Sequence, residues 1–309
     1  MLLNFLKRIR LAAYALGFAT IFSSCSEFQT VLKSQDYSLW YRKGLQYYEQ
    51  GEYGKSAHLL GGILTKYAGT AQYDTIMVTY AHALAEVGDY YTAAHYFSDY
   101  VKTYPSSSRC EDCQFMAGYC YYKLSPKPEL DQADTESAIE ELQLFVNLFP
   151  ESPKVPEAEQ MMSQMTDKLA YKDYLSAKLY FNLGNYMGNN YNSAVITAQN
   201  CLRKYPDTEH REELSFLILK AKYIQADRSV LAKQADRYRD AIDEYFSFVN
   251  EFPDSKFRSD ADDIYRHSEK GLSKAEREIP PSQDDLDYYR NFGNRLDQER
   301  AAQADLAED

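Results

Sequence analysis

Two cysteines three residues apart are the side chains in this sequence best placed to do chemistry. The segment RCEDCQFMAGYCYY contains Cys110 and Cys113 in a C-x-x-C arrangement, and Cys120 follows seven residues later. In an oxidising compartment two such thiols can form a disulfide. At the start of a helix they can instead serve as low-pKa redox thiols or as half of a zinc site. A zinc site needs two more ligands, and the sequence contains no second pair of this kind.

A structural role for these cysteines is the simplest interpretation. Buried cysteine packs as a small apolar residue, and the surrounding sequence is helical in pattern, without the βαβ context of thioredoxin-like proteins. We therefore favour packing, above all for Cys120 and Cys201. A structural disulfide between Cys110 and Cys113 stays open as the alternative.

Other catalytic and cofactor-binding motifs are absent from the sequence. It contains neither G-x-x-x-x-G-K-[ST] nor G-x-G-x-x-G. It also lacks G-x-S-x-G and H-E-x-x-H. The five histidines are scattered without the spacing of metal ligands. The sequence therefore predicts a protein that is not an enzyme and that uses no cofactor and no metal.

Cys25 is a cysteine of a different kind, because a signal-like segment leads up to it. Residues 1–10 carry three basic side chains, residues 11–22 read LAAYALGFATIF, and two serines precede the cysteine. A basic start and a short apolar run are typical of a secretory signal peptide, and the run is shorter than the about 20 residues of a membrane-spanning helix. The pattern resembles a bacterial lipobox. It predicts cleavage before Cys25, lipid attachment there and, since Ser26 is not aspartate, an outer-membrane location. An ordinary signal peptide is the alternative.

The charge of the chain excludes one class of partner. The formal net charge is -12, and removal of residues 1–24 takes away only positive charges. Proteins that bind nucleic acid present a basic face to the phosphates. We therefore predict no nucleic-acid partner, and we expect membrane contact through the lipid rather than through a polybasic surface.

A motif that recurs five times organises the rest of the chain. It consists of an aromatic residue, usually a proline, a variable residue and Ser or Thr. Its copies are YAGT at 67–70, YPSS at 104–107, FPES at 149–152, YPDT at 205–208 and FPDS at 252–255. A small residue stands twelve positions before the proline position in each copy: Ser56, Ala93, Ala138, Ala194 and Ala241. Apolar residues follow the small residue at +4 and +7, which is the spacing of one helix face.

This repeated unit predicts a pair of packed helices. The small residue allows a second helix to approach closely, and the proline ends the helix because it lacks an amide donor. The Ser or Thr that follows can cap the next helix. A unit with a single apolar face must stack on its neighbours, so the repeats predict a solenoid.

The sequence thus predicts an all-α fold, a tetratricopeptide-like solenoid of about five helix-turn-helix units over residues 37–278. Residues 1–24 are the predicted lipoprotein signal peptide and residues 25–36 a lipidated tether. Within the solenoid, KLSPKPELDQADTE at 123–136 is expected to be a polar loop, and QADRSVLAKQADR further on a second insertion. Residues 279–309 form an acidic tail, which we expect to be disordered.

Three features together resemble the BamD family, the periplasmic lipoproteins of the machine that assembles outer-membrane β-barrels. They are the anchored Cys25, the opening WYRKGLQYYEQGEYGKSAHLL and the junction YVKTYPSSSRCEDCQFMAGYCYY. The resemblance covers Cys25 to about residue 270. The first repeat departs from it, since Ala68 stands where proline is expected.

The resemblance implies a scaffold without enzymatic activity on the periplasmic face of the outer membrane. In that family the C-terminal units hold the barrel-assembly protein BamA, and the N-terminal units receive unfolded barrel substrates. We therefore expect the units after about residue 190 to bind a BamA-type protein. Alignment of the first helices to the family places six residues along a concave groove for the unfolded substrate: Tyr41, Tyr48, His82, Phe115, Tyr119 and Tyr122.

Two other functions are compatible with the sequence. Another tetratricopeptide lipoprotein, acting as a cell-envelope adaptor for peptidoglycan or pilus assembly, would contain the same repeats. A periplasmic thiol oxidoreductase built on Cys110 and Cys113 is the enzymatic alternative.

Overall fold

The structure, a computed structural model, describes residues 27–280, and every regular element in that range is helical. The helices are α1 (27–34), α2 (Tyr37–Glu49), α3 (Tyr53–Ile63), α4 (Tyr73–Glu86), α5 (Tyr90–Thr103), α6 (Cys110–Leu124), α7 (Ala133–Leu148), α8 (Val155–Leu183), α9 (Asn190–Lys204), α10 (Arg211–Asp227), α11 (Leu231–Glu251) and α12 (Arg258–Glu278). A 3-10 turn, Leu64–Lys66, follows α3.

The chain divides into two compact units, with the boundary between Leu169 and Ala170 inside α8. In the first unit α2 pairs with α3, α4 with α5 and α6 with α7. In the second unit α9 packs on the end of α8, α10 pairs with α11, and α12 packs on α11. The helix pairs of residues 27–280 confirm the predicted all-α, tetratricopeptide-like fold. The prediction of one body over 37–278 did not anticipate the division into two units.

The repeated motif builds the core of each helix pair as predicted. The small residues are fully buried, with no exposed surface: Ser56, Ala93, Ala138, Ala194 and Ala241. Each lies on the second helix of its pair, where a larger side chain would push the first helix away. The residues at +4 and +7 are buried as well, from Leu60 and Ile63 in the first pair to Tyr245 and Phe248 in the last.

The turn at the end of each motif connects one pair to the next. In the second copy the Ser107 N–H donates to the carbonyl of Tyr104 at 2.9 Å, and the same bond recurs in the other four copies. Proline fits the second position of such a turn because its φ is already fixed. The hydroxyl then accepts from the backbone two residues further on, as Ser255 does from Phe257 at 2.9 Å. The predicted cap therefore lies in the turn that leads into the helix, three residues before the helix begins.

The first predicted insertion is a loop between two helices as expected, although both of its ends are helical, and most of the second insertion lies in a helix. Helices α6 and α7 leave only residues 125–132 as a loop. The side chain of Gln132 closes this loop by donating to the carbonyl of Lys127 at 2.8 Å. Helices α10 and α11 leave only residues 228–230 between them, so the second insertion lengthens α11 rather than a loop.

Gly118 lies where α6 approaches α7 most closely. A Cβ atom at this position would stand 2.7 Å from the side chain and 3.1 Å from the backbone nitrogen of Leu142. Gly44 repeats the arrangement on α2, where a Cβ would stand 2.6 Å from Leu60. Both leucines are the +4 residues of their motifs. A glycine on the first helix and a leucine on the second thus form one packing unit.

The substitution Gly118→Ala is expected to lower the free energy of unfolding by about 1–3 kcal/mol, because the added methyl group overpacks this contact. Gly54→Ala is the matched control, since Gly54 is exposed within α3 and nothing lies within 4 Å of the new methyl group. That variant should gain about 0.5–1 kcal/mol from the lower chain entropy of alanine. Urea unfolding followed by circular dichroism measures both. Equal stability of the two variants would contradict the close approach.

The membrane-related predictions lie outside the described part of the chain. Within residues 27–280, no helix combines the length and the apolar character that crossing a bilayer requires. Cys25, the signal peptide at 1–24 and residues 281–309 of the tail are not among the described residues. The lipid anchor and the acidic tail therefore stay predictions.

Candidate functional site

Five of the six predicted groove residues lie partly exposed on the first helices of the pairs in the first unit. Helix α2 lies against α4, and the ion pairs of Asp112 link α6 to α4 and to the residue that precedes α8, so these first helices form one surface. We call this surface the first-helix face. Its members are Tyr41, Tyr48, His82, Asp112, Tyr119, Tyr122 and Lys154.

A row of three linked polar side chains, His82, Asp112 and Lys154, crosses the first-helix face. His82 Nε2 on α4 lies 2.9 Å from one carboxylate oxygen of Asp112 on α6. The other oxygen accepts from Lys154 Nζ, just before α8, at 2.8 Å. His82 also packs edge-on against Phe97 of the core, with ring centres 4.8 Å apart. One carboxylate thus connects three successive helix pairs.

The Asp112 carboxyl is ionised throughout the neutral range. The hydrogen bond from His82 is the main reason why its pKa lies well below the usual range, and Lys154 adds to the shift against the opposing effect of burial. The resulting stabilisation is present above the unfolded carboxyl pKa of about 3.9 and is lost as the pH falls toward the lower folded pKa. The side chain is 45% exposed, so solvent screening keeps this contribution small.

Tyr41 and Tyr48 form the aromatic part of the face on α2. Tyr41 stacks on Tyr67 with ring centres 5.8 Å apart, and Tyr48 meets the ring of Tyr53 edge-on at 5.4 Å. Burial raises the pKa of Tyr48, and the negative charge of nearby groups, Glu86 among them, raises it further. The Tyr48 hydroxyl therefore keeps its proton and can donate a hydrogen bond to a ligand.

Tyr119 and Tyr122 are both half-buried on α6. The Tyr122 hydroxyl donates to the side-chain oxygen of Gln164 on α8 at 2.7 Å. The Lys123 ammonium lies 5.2 Å from the centre of the Tyr119 ring. Each tyrosine is thus partly exposed and lies beside a polar side chain.

The prediction that Phe115 lines the groove is wrong. Its side chain is only 5% exposed and packs edge-on against Phe145, with ring centres 5.3 Å apart. The Lys154 ammonium covers the ring at 4.6 Å. Phe115 belongs to the core that α6 forms with α7 and α8, because at this point of α6 both neighbouring helices are in contact with it.

The cysteines have the packing role that the sequence favoured. Cys110, Cys113, Cys120 and Cys201 are free and buried, so the structure does not contain the alternative Cys110–Cys113 disulfide. The Cys110 thiol donates to the carbonyl of Tyr104 at 2.8 Å. Burial raises the pKa of Cys113 and of Cys120 to about 12. Redox reactivity requires the thiolate, and these surroundings disfavour it.

The first-helix face is suited to recognition of another chain. Its tyrosines offer a ring and a hydroxyl in one side chain, and Asp112 and Lys154 supply both signs of charge. Within residues 27–280, no three side chains among His, Cys, Asp and Glu are grouped so that they could hold a metal ion. A partly apolar, partly polar polypeptide segment is the ligand class that this surface matches.

Sequence reasoning missed the charged partners on this face. Asp112 lies inside the C-x-x-C segment and Lys154 just after the third motif copy, 42 residues apart. Their positions in the repeat are the feature from which this pairing could have been predicted. Residues that open successive first helices come side by side in a repeat array, so charges at these positions are expected to pair.

A family-level comparison covers most of the chain. The sequence profile of the family YfiO, described as outer membrane lipoprotein, matches residues 33–188 and residues 183–298. The two matched segments span both compact units of the structure.

Individual relatives carry related names. A protein of Aquifex aeolicus named as an outer membrane protein assembly factor BamD is 26% identical over 248 residues, which cover 78% of this chain and 76% of that protein. The outer membrane protein assembly factor BamD of Caulobacter vibrioides is 21% identical over 194 residues, which cover 62% of this chain and 61% of that protein.

Among solved structures, the TPR2AB domain of yeast Sti1 in complex with pHSP90 is similar with a TM-score of 0.33 and 14% identity. The similarity covers 75% of this chain and 98% of that one. The score is low, and the fold assignment rests on the helix pairs of the chain itself.

Proposed function

This chain belongs to the outer membrane lipoprotein family YfiO, and from that premise we propose that it is a lipid-anchored scaffold of the machinery that assembles outer-membrane β-barrel proteins. The observation that carries the proposal is the family match over both units, together with relatives named as assembly factor BamD. The protein works at the periplasmic face of the outer membrane. It acts by holding other proteins rather than by catalysis.

The two units have different partners in this proposal. The first unit receives unfolded barrel substrates on its first-helix face. The part of the second unit after about residue 190 holds a BamA-type barrel-assembly protein; that unit begins at Ala170. The assignment of the second unit rests on the family resemblance. The assignment of the first unit has additional support from the half-buried tyrosines and the exposed charges described above.

The chemistry of the first-helix face suits a barrel strand. Such strands alternate apolar and polar residues and carry aromatic residues near the membrane interfaces. Tyr48, Tyr119 and Tyr122 can contact the apolar side chains through their rings, while Asp112 and Lys154 can bind polar groups. Phe115 is excluded from this role because it is buried in the core.

Replacement of Tyr48, Tyr119 and Tyr122 together by alanine is expected to weaken binding of a barrel-derived C-terminal peptide at least about tenfold, because truncated aromatic anchors commonly cost more than 1 kcal/mol each. Crosslinking titrations with a photoreactive form of the peptide measure the change. The matched control replaces two exposed tyrosines elsewhere, Tyr91→Ala and Tyr186→Ala.

Both variants must retain the helical circular-dichroism signal and cooperative unfolding of the parent. If the folded triple variant captures the peptide as well as the parent does, the first-helix face is not the substrate site.

A further inference from the structure

The second unit contains a cleft of about 330 Å³ that is separate from the first-helix face. It is lined by side chains from the end of α8, from α10 and from the turn before α12. Its apolar side chains include Phe181, Phe216, Leu217 and Phe257, and two lysines, Lys178 and Lys220, also line it.

The aromatic lining of the cleft is held by packing. Phe216 stacks on Phe257 with ring centres 4.5 Å apart and nearly parallel planes. Phe216 is 6% exposed and Leu217 is 8% exposed, so the core fixes both side chains. Phe181 is less buried and meets Tyr191 edge-on at 5.5 Å. A ring that enters the cleft would meet surfaces that are already positioned.

Lys220 is the least satisfied cation of the cleft. Its ammonium lies 5.5 Å from the centres of both the Phe181 and the Phe216 rings. Within residues 27–280 it has no carboxylate within ion-pair distance. Lys178, which also lines the cleft, donates to the Tyr174 hydroxyl at 3.2 Å. Both ammonium groups thus keep hydrogen-bond donors for an external acceptor.

The one carboxylate of the cleft lining, Glu213, is already engaged. It accepts hydrogen bonds from the Tyr174 hydroxyl and, at 3.1 Å, from Lys256. These bonds, that of Tyr174 first, lower the pKa of Glu213. Glu213 therefore does not provide Lys220 with a counter-ion.

We propose that this cleft binds a linear segment of a partner protein in which an aromatic side chain stands next to a carboxylate. The aromatic ring of the segment packs against Phe181 and Phe216, and its carboxylate accepts hydrogen bonds from Lys220 and Lys178. Charge complementarity supports this occupant. Lys220, which has no carboxylate within ion-pair distance in residues 27–280, lies beside two apolar rings and offers an acidic segment a local site of opposite charge.

The inference goes beyond the assembly role, because it concerns a binding property of the isolated protein. It holds or fails independently of whether the chain assembles barrels. The probe is therefore a synthetic peptide rather than a cellular partner. A short fluorescein-labelled peptide with alternating Asp and Phe between Gly-Ser ends is compared with one in which Asn replaces every Asp.

Fluorescence anisotropy with the mature full-length chain should show that the Asp-Phe peptide binds and that the Asn-Phe peptide binds at least about tenfold more weakly, since a charge-assisted hydrogen bond contributes more than a neutral one. Lys220→Gln should weaken binding of the Asp-Phe peptide by a similar factor and leave binding of the Asn-Phe peptide almost unchanged. Phe181→Leu should weaken binding of both peptides. The matched control is Lys233→Gln, an exposed lysine on α11 outside the cleft.

Three results would overturn the inference. The first is equal affinity for the two peptides. The second is an unchanged affinity of the folded Lys220→Gln variant. The third is an equal loss in Lys233→Gln, which would show that the peptide senses only the general charge of the surface. Lys220 and Phe181 are both partly exposed, so their variants are expected to fold. An unfolding curve of each variant checks that a loss of binding is not caused by misfolding.

Discussion

Replacement of Cys25 by alanine is expected to release the protein from the outer membrane or to leave its signal peptide uncut. The reason is the chemistry of the anchor. One acyl chain binds a bilayer only reversibly, whereas several chains on one cysteine give stable attachment. Residues 27–280 contain no helix that could span a membrane in its place. Removal of the thiol removes the only predicted point of lipid attachment.

Cell fractionation, detergent phase partition and intact mass measure this effect. The parent should enter the detergent phase, and its mass should show an N-terminus at Cys25 that carries lipid. The control Ser26→Ala changes the neighbouring side chain and leaves the thiol in place, so it should behave as the parent does. A Cys25→Ala protein that is normally cleaved and still fully bound to the membrane would refute the anchor.

The repeated part of the fold could be predicted because its signals are local. A small residue, two apolar residues at +4 and +7, and a proline turn all lie within about four helical turns of the same chain segment. Ser56 and Ala241 are buried for this reason in helix pairs far apart in the sequence. The proline turn could be recognised because a single residue type fixes its geometry.

The contacts between helix pairs could not be predicted, because they depend on residues far apart in the chain. Asp112 and Lys154 are 42 residues apart, and Lys256 and Glu213 are 43 residues apart. Periodicity does not specify which of several exposed charges will meet. The cleft of the second unit was missed for the same reason, since its lining comes from α8, α10 and the turn before α12.

Phe115 and Tyr119 show how far helical spacing can define a surface. They are four residues apart on α6 and their rings stack at 6.5 Å, so periodicity places them on one face. Phe115 is nevertheless buried by α7 and α8, while Tyr119 remains half-exposed. Whether a residue on this face is buried depends on where the neighbouring helices lie, and the periodic pattern of one helix does not specify that.

The boundary between the two units was missed for a related reason. Helix α8 runs over 29 residues from Val155 to Leu183. Its one proline, Pro156, lies in the first turn, so neither a proline nor a glycine marks the boundary at Leu169. Its helical pattern is continuous across that point. Only the tertiary contacts on either side of the boundary distinguish one unit from the other.

Depletion of this protein in its own cells is expected to lower the amount of β-barrel proteins in the outer membrane severalfold. The central claim is that the chain is an assembly scaffold, and scaffolds act by bringing substrate and assembly protein together. Without the scaffold, unfolded substrates lose this local concentration and are degraded or accumulate in the periplasm. The alternative function, an adaptor for peptidoglycan or pilus assembly, predicts no such loss.

The decisive measurement is quantitative mass spectrometry of purified outer membranes after repression of the gene. Re-expression of the parent or of the Gly54→Ala control should restore the β-barrel proteins. Re-expression of the variant in which Tyr48, Tyr119 and Tyr122 are alanine should restore them only in part. The account predicts a broad fall in barrel proteins before any change in cell-wall composition. Unchanged barrel proteins, together with altered wall shape or lost pili, would contradict it.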